Sequence, residues 1–132
     1  MNKLGWMLDN AMTMPETRHA ILLSADGLLM AHSKDISRDD AERHAAAMSG
    51  LQALARNTAE FCGQTPDGWQ QTVNEFPGGY VFLVAAGPGA YLAVSATDRV
   101  DMEAVSFRLQ ELVQRLGKEL TSPPRQDAGS RV

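Results

Sequence analysis

Several things are scarce in this chain. Cysteine occurs once, at Cys62, so no internal disulfide can form and no Cys/His cluster reaches the count of a structural zinc site. Basic charge is thin: 12 Lys and Arg stand against 16 Asp and Glu, for a formal net charge of −4 and no Lys/Arg block. Nucleic acid is therefore not an expected partner. No apolar run is long enough to cross a bilayer, and the start Met1-Asn2-Lys3-Leu4-Gly5-Trp6 lacks the apolar core of a signal peptide. A cytoplasmic protein without direct membrane insertion is the expectation. Nucleotide loops are missing too. There is no G-x-x-x-x-G-K-[ST] and no G-x-G-x-x-G after a strand.

The search for catalytic groups is equally thin. Gly87-Pro88-Gly89 reads as a hairpin turn, because a strand follows and no helix N-terminus is available for a phosphate. His19 and His32 lie near the open ends of two hairpin strands and are expected to face each other, with no third metal ligand in sight. His44 falls on a helix surface. Cys62 is placed at a helix C-terminus, where the dipole opposes thiolate formation, so it reads as structural. Ser24 is in no G-x-S-x-G elbow. The chain is not expected to be an enzyme, and no cofactor or metal is expected.

What is present fits one domain. The chain has 132 residues, 44% hydrophobic and 21% charged, which is ordinary globular composition. Residues 4–12 spell a short amphipathic helix ahead of Pro15. His19–Ser24 and Leu28–His32 form a hairpin across Ala25-Asp26-Gly27, since Asp-Gly supplies the positive-φ positions of a tight turn. Both strands are continuously apolar, which predicts a sheet covered on both faces. Strands follow at 69–76, 80–86 and 91–95, separated by Pro77-Gly78-Gly79 and Gly87-Pro88-Gly89. The polar strand 69–76 is placed at an edge and the apolar strand 80–86 in the centre. A helix from Asp101 to Leu120 carries Met102, Val105, Leu109, Leu112 and Leu116 at helical spacing. The domain is set at residues 1–120, with 121–132 as a flexible tail. The fold class is α+β: a five-stranded antiparallel sheet with helices on both faces, in the order α-ββ-α-βββ-α.

The richest stretch runs from Ser37 to Cys62. It reads as one long helix of small residues with Ser37 as N-cap and Asp40 completing a capping-box variant. It carries two apolar rows. One is Ala47, Leu51, Leu54, Thr58 and Phe61. The other is Ala41, Ala45, Met48, Ala55, Ala59 and Cys62. A helix with one buried face needs one stripe. The second stripe predicts another copy of the same helix as partner, with Thr72 and Asn74 on the edge strand joining that interface. Arg38, Asp39, Glu42, Arg43, Ala46, Ala53 and Arg56 fall outside the two rows and form the expected docking platform for another protein.

On these residues the chain resembles the Roadblock/dynein light chain family, and within it the bacterial MglB-like members. The resemblance is carried by the element order, by His19-Ala20-Ile21-Leu22-Leu23-Ser24-Ala25-Asp26-Gly27-Leu28, by Ser49-Gly50-Leu51 through Leu54-Ala55-Arg56, and by Gly78-Gly79-Tyr80 before an apolar strand. It covers roughly residues 4–120. It implies homodimers with sheets joined edge to edge and long helices paired on one face. It further implies a small Ras-like GTPase as partner, with a sensor histidine kinase as a second one, and a role as GTPase-activating or docking protein. It transfers no catalytic residue. The alternatives are a scaffold that leaves turnover unchanged and a small-molecule sensory domain with a pocket between sheet and helix.

Overall fold

The computed structural model describes residues 3–121. Helix α1 (Lys3–Ala11) leads into strands β1 (Thr17–Ser24) and β2 (Leu29–His32). Helix α2 (Arg38–Arg56) is followed by two short 3-10 turns, Ala59–Cys62 and Pro66–Gly68. Strands β3 (Gln71–Phe76), β4 (Gly79–Ala85) and β5 (Ala90–Thr97) precede helix α3 (Met102–Thr121). The expected α+β order is therefore present. The tail beyond Thr121 lies outside the described residues.

All strands pair antiparallel, in the spatial order β2-β1-β5-β4-β3. β3 is an edge, as its polar sequence predicts. The middle position belongs to β5 rather than to β4. β5 takes it because the two hairpins meet along β1 and β5, and β5 is buried through five consecutive residues, Ala90–Val94.

Strand alternation splits the core in two. Ala20 and Leu22 of β1, Phe82 and Val84 of β4, and Leu92 and Val94 of β5 face α1 and α3, where they meet Met7, Leu8, Val105, Leu109, Leu112 and Leu116. Ile21, Leu23, Leu83, Tyr91 and Ala93 face the other way, onto Ala41 and Ala45 of α2. This is why β1 reads as an unbroken apolar run: each face has its own cover. Full burial of a leucine is worth about 1.5–3 kcal/mol, and Leu8, Leu22, Leu23, Leu83, Leu92 and Leu116 are all fully buried.

The long helix is shorter than its composition predicts. Ser37 caps it, accepting a hydrogen bond from the Asp40 amide at 3.1 Å. It stops at Arg56, and Asn57 is the C-cap. Thr58, Phe61 and Cys62 belong to the turn beyond, which Gly63 closes with φ +76°. The last helical residue, Arg56, is held by partners outside the helix.

Candidate functional site

The two faces of the sheet are covered unequally. Two helices cover one. On the other, α2 lies against β1 and β2 and leaves the β3–β4 side open. Between α2 and the exposed sheet runs an apolar trough of about 330 Å³, lined by Ile21, Ile36, His44, Met48, Phe76 and Tyr80 among others. Arg18 and His19 stand at the same site. The small residues of α2 do not seal this space. Ala41 and Ala45 let the helix sit close to the sheet where they touch it, and the gap opens beside them.

The second apolar row is the sheet-facing one. Ala41, Ala45 and Ala59 are buried, while Met48 and Ala55 are half-buried. Cys62, at the end of that row, is exposed, and its thiol donates to the Ala59 carbonyl at 3.3 Å. Most of the first row points away from the sheet, and only Leu51 packs on the α2-side core. Ala47 and Thr58 are exposed, Leu51 is half-buried, Leu54 is 69% exposed and Phe61 is 99% exposed. On the same face of the sheet, Thr72 lies opposite Leu83 and Asn74 opposite Val81. β3 has no neighbour on its outer side. The structure thus leaves Leu54, Phe61 and one strand edge uncovered.

The charged platform residues divide. Arg38 pairs with Glu42 at 3.1 Å and Arg43 with Asp40 at 2.9 Å, both along the exposed helix. The Arg43 guanidinium holds the Asp40 carboxyl below its ordinary range. Asp39, Ala46 and Ala53 are exposed. Arg56 is different. Its Nη1 donates to the Tyr91 hydroxyl at 2.8 Å and its Nε to the Pro66 carbonyl at 3.2 Å. It fastens the end of α2 to β5 and to the second 3-10 turn, so it is a structural tether rather than a free surface charge. Tyr91 in turn stacks obliquely on Trp69, with ring centroids 5.9 Å apart.

The histidine pair does not form. His19 Nδ1 lies 3.3 Å from Asp35 Oδ1, and His32 Nδ1 lies 2.7 Å from the Ser33 carbonyl. The register sets His32 opposite Ile21 instead of His19. Burial pushes the Asp35 carboxyl up, but hydrogen bonds from His19 and Ser33 outweigh it and the net shift is downward. Sequence reasoning passed over Gln52, which is buried in α2 with its Oε1 unpaired, and Ser49, whose hydroxyl donates to the Ala25 carbonyl at 2.6 Å. Polar residues within an apolar-periodic helix give no sign of which face they take. Among the described residues no group of His, Cys, Asp and Glu could hold a metal ion, and no helix is long and apolar enough to cross a membrane.

Residues 4–96 match the model of the Roadblock/LC7 domain. The chain belongs to the Roadblock/LC7 family. A roadblock domain from Streptomyces avermitilis is similar along its whole length: 31% identity over 92% of this chain and 100% of that one, with a TM-score of 0.83. MglB of Myxococcus xanthus shares the roadblock fold at 17% identity, covering 93% of this chain and 98% of its own, with the same TM-score of 0.83. Profilin IA of Acanthamoeba castellanii shares it more distantly, at 12% identity and a TM-score of 0.61 over 89% and 98% of the two chains. A comparison with curated protein sequences finds no match.

Proposed function

We propose that this roadblock protein is a non-enzymatic homodimer that binds a small Ras-like GTPase and modulates it, with no catalytic residue of its own. The observation that carries the reading is the uncovered face: Leu54 and Phe61 stand in solvent, and the edge strand β3 has no neighbour on its outer side. Large exposed apolar side chains gathered on one surface mark an interaction site. Ala47, Leu51, Leu54, Thr58, Phe61, Thr72 and Asn74 form the dimer interface. Arg38, Asp39, Glu42, Arg43, Ala46 and Ala53 form the outer rim that meets the GTPase. Arg56 contributes by holding α2 in place. Membership of the roadblock family and the fold shared with MglB support the class of partner.

Light scattering on the purified protein is expected to give a dimer at micromolar concentration. A stable monomer there rejects the reading. Charge reversal at Arg38 and Arg43 together is expected to weaken GTPase binding and leave the dimer intact, because rim charges act mainly on encounter and specificity. If both substitutions preserve binding, the platform lies elsewhere. Binding without any change in GTP turnover selects the scaffold reading, in which a sensor kinase is a further partner.

The trough favours one other reading, a small-molecule sensory domain, because about 330 Å³ is within the size of ligand pockets. Native mass spectrometry of the purified protein decides it: a retained small molecule supports the sensor.

A further inference from the structure

The trough beside α2 has apolar walls and charge of one sign. Ile21, Ile36, Met48, Phe76 and Tyr80 line it. Besides Tyr80, its ionisable lining is Arg18, His19 and His44, and no aspartate or glutamate lines it. Arg18 is there because β1 is irregular. Thr17 sits opposite Ala96 and His19 opposite Ser95, so Arg18 has no opposite number of its own on β5. In a regular strand Arg18 would share the face of Ala20 and Leu22, under α1 and α3. A bulge re-aims a side chain in this way and recurs beside functional sites. The flank of the bulge is pinned. Glu16 has φ +71°, its carbonyl accepts from the Thr97 amide at 2.9 Å, and its carboxylate accepts from the Thr97 hydroxyl. A non-glycine residue at positive φ persists only where its surroundings hold it. Arg18 itself is exposed and makes no ion pair among the described residues. Of the acids around these cations, Asp35 is hydrogen-bonded to His19 and Ser33, and Asp40 to Arg43.

We infer that the trough binds a small amphipathic monocarboxylate, with its aliphatic body along Ile21, Ile36 and Met48 and its carboxylate on Arg18. This rests on the small-molecule reading above and names its ligand class. It is independent of the homodimer, since no lining residue named here belongs to the proposed dimer interface. Charge complementarity carries the choice. A guanidinium fork matches a carboxylate through two parallel hydrogen bonds. An alcohol of the same length would leave that fork unmatched, and an ammonium would be repelled. His19 supplies a second donor: its Nδ1 is taken up by Asp35 at 3.3 Å, which leaves Nε2 for a ligand. The volume sets the length. About 330 Å³ lies at the lower end of small-molecule pockets, which fits a medium-length chain and excludes a long-chain lipid. Met48 gives that chain an adaptable wall.

The test is titration calorimetry with octanoate on the full chain, with octanol and octylamine as controls of the same length. Octanoate is expected to bind once per chain, octanol about tenfold more weakly, and octylamine not measurably. Arg18→Gln is expected to weaken octanoate about tenfold, the effect of one hydrogen bond to a charged group at an exposed position, and to leave octanol unchanged. Its circular dichroism is expected to match the parent, because Arg18 is exposed. Methyl-labelled methionine reports the place. The Met48 signal is expected to shift with octanoate, while that of Met7, buried on the other side of the sheet, stays still. A shift at Met7 alone overturns the trough as the site. Equal octanoate binding by the parent and Arg18→Gln, or octylamine binding as tight as octanoate, overturns the carboxylate and leaves a small-molecule site standing. No octanoate binding also overturns the inference. A molecule retained in native mass spectrometry then still upholds the sensory reading, and its absence overturns both.

Discussion

At the scale of single residues, Arg56 does the most to define the site. Its two hydrogen bonds reach Tyr91 and Pro66, respectively 35 residues and 10 residues away in sequence. Removing the guanidinium leaves the buried Tyr91 hydroxyl without its charged donor, and an unpaired buried polar group costs about 1–3 kcal/mol. Arg56→Ala is expected to lower stability by about that much in urea unfolding, whereas Tyr91→Phe costs less. A double-mutant cycle isolates the pair. Asp35 gives a pH-dependent counterpart. Its carboxyl is held below the ordinary carboxylate range in the folded state, so its contribution is present above that range and fades as the pH falls through the lowered value. The melting difference between the parent and Asp35→Asn is expected at neutral pH and is expected to vanish in strong acid. The side chain is more than half exposed, so solvent screening keeps the difference small.

At the scale of elements, what was legible depended on how local the signal was. The Asp26-Gly27 turn was readable because one backbone angle demands glycine, and Gly27 has φ +89°. The start of α2 was readable because Ser37 and Asp40 cap it within four residues. Its end was not: the helix gives way at Asn57 to a 3-10 turn, and Gly63, the local stop residue, closes that turn instead. The edge position of β3 followed from its polar alternation. The middle position of β5 did not, because strand order across two hairpins is a long-range choice. The same reasoning separates the site. That α2 carries two apolar rows was legible from spacing alone, but which of them lies on the sheet was not. The trough was not, since it depends on where α2 lands on the sheet. Gly79 lines the trough on the sheet side. A Cβ there would stand 2.6 Å from the Ala96 carbonyl oxygen of β5. Gly79→Ala therefore forces β4 away from β5 beside the trough, and overpacking of this kind costs about 1–3 kcal/mol. Amide exchange is expected to speed up at the β4–β5 end and to remain slow in β1.

At the scale of the whole molecule, the sheet divides two tasks. Leu112 is buried between α3 and the sheet, and Leu112→Ala is expected to cost about 2–5 kcal/mol of stability while leaving the dimer constant of the still-folded protein unchanged. Leu54→Asp is expected to do the reverse. It sets a carboxylate on an exposed position of the single chain, so folding is spared, but pairing then buries an unpaired charge and fails. Sedimentation and thermal melting of the two variants side by side check the crossover. The protein alone is expected neither to bind GTP tightly nor to hydrolyse it, which isothermal titration and a phosphate-release assay can measure.

The separation of the two apolar clusters by one layer of backbone has a consequence for how such a chain can change over generations. Ala20, Leu22, Phe82 and Val94 belong to one cluster; Ile21, Leu23, Leu83 and Ala93 belong to the other. Neighbouring positions in the same strand therefore answer to different pressures. A lineage can redraw the α2 side to suit a new companion while the α1–α3 side goes on holding the domain together. Alternate residues along β1, β4 and β5 should then drift at different rates among descendants of a common gene.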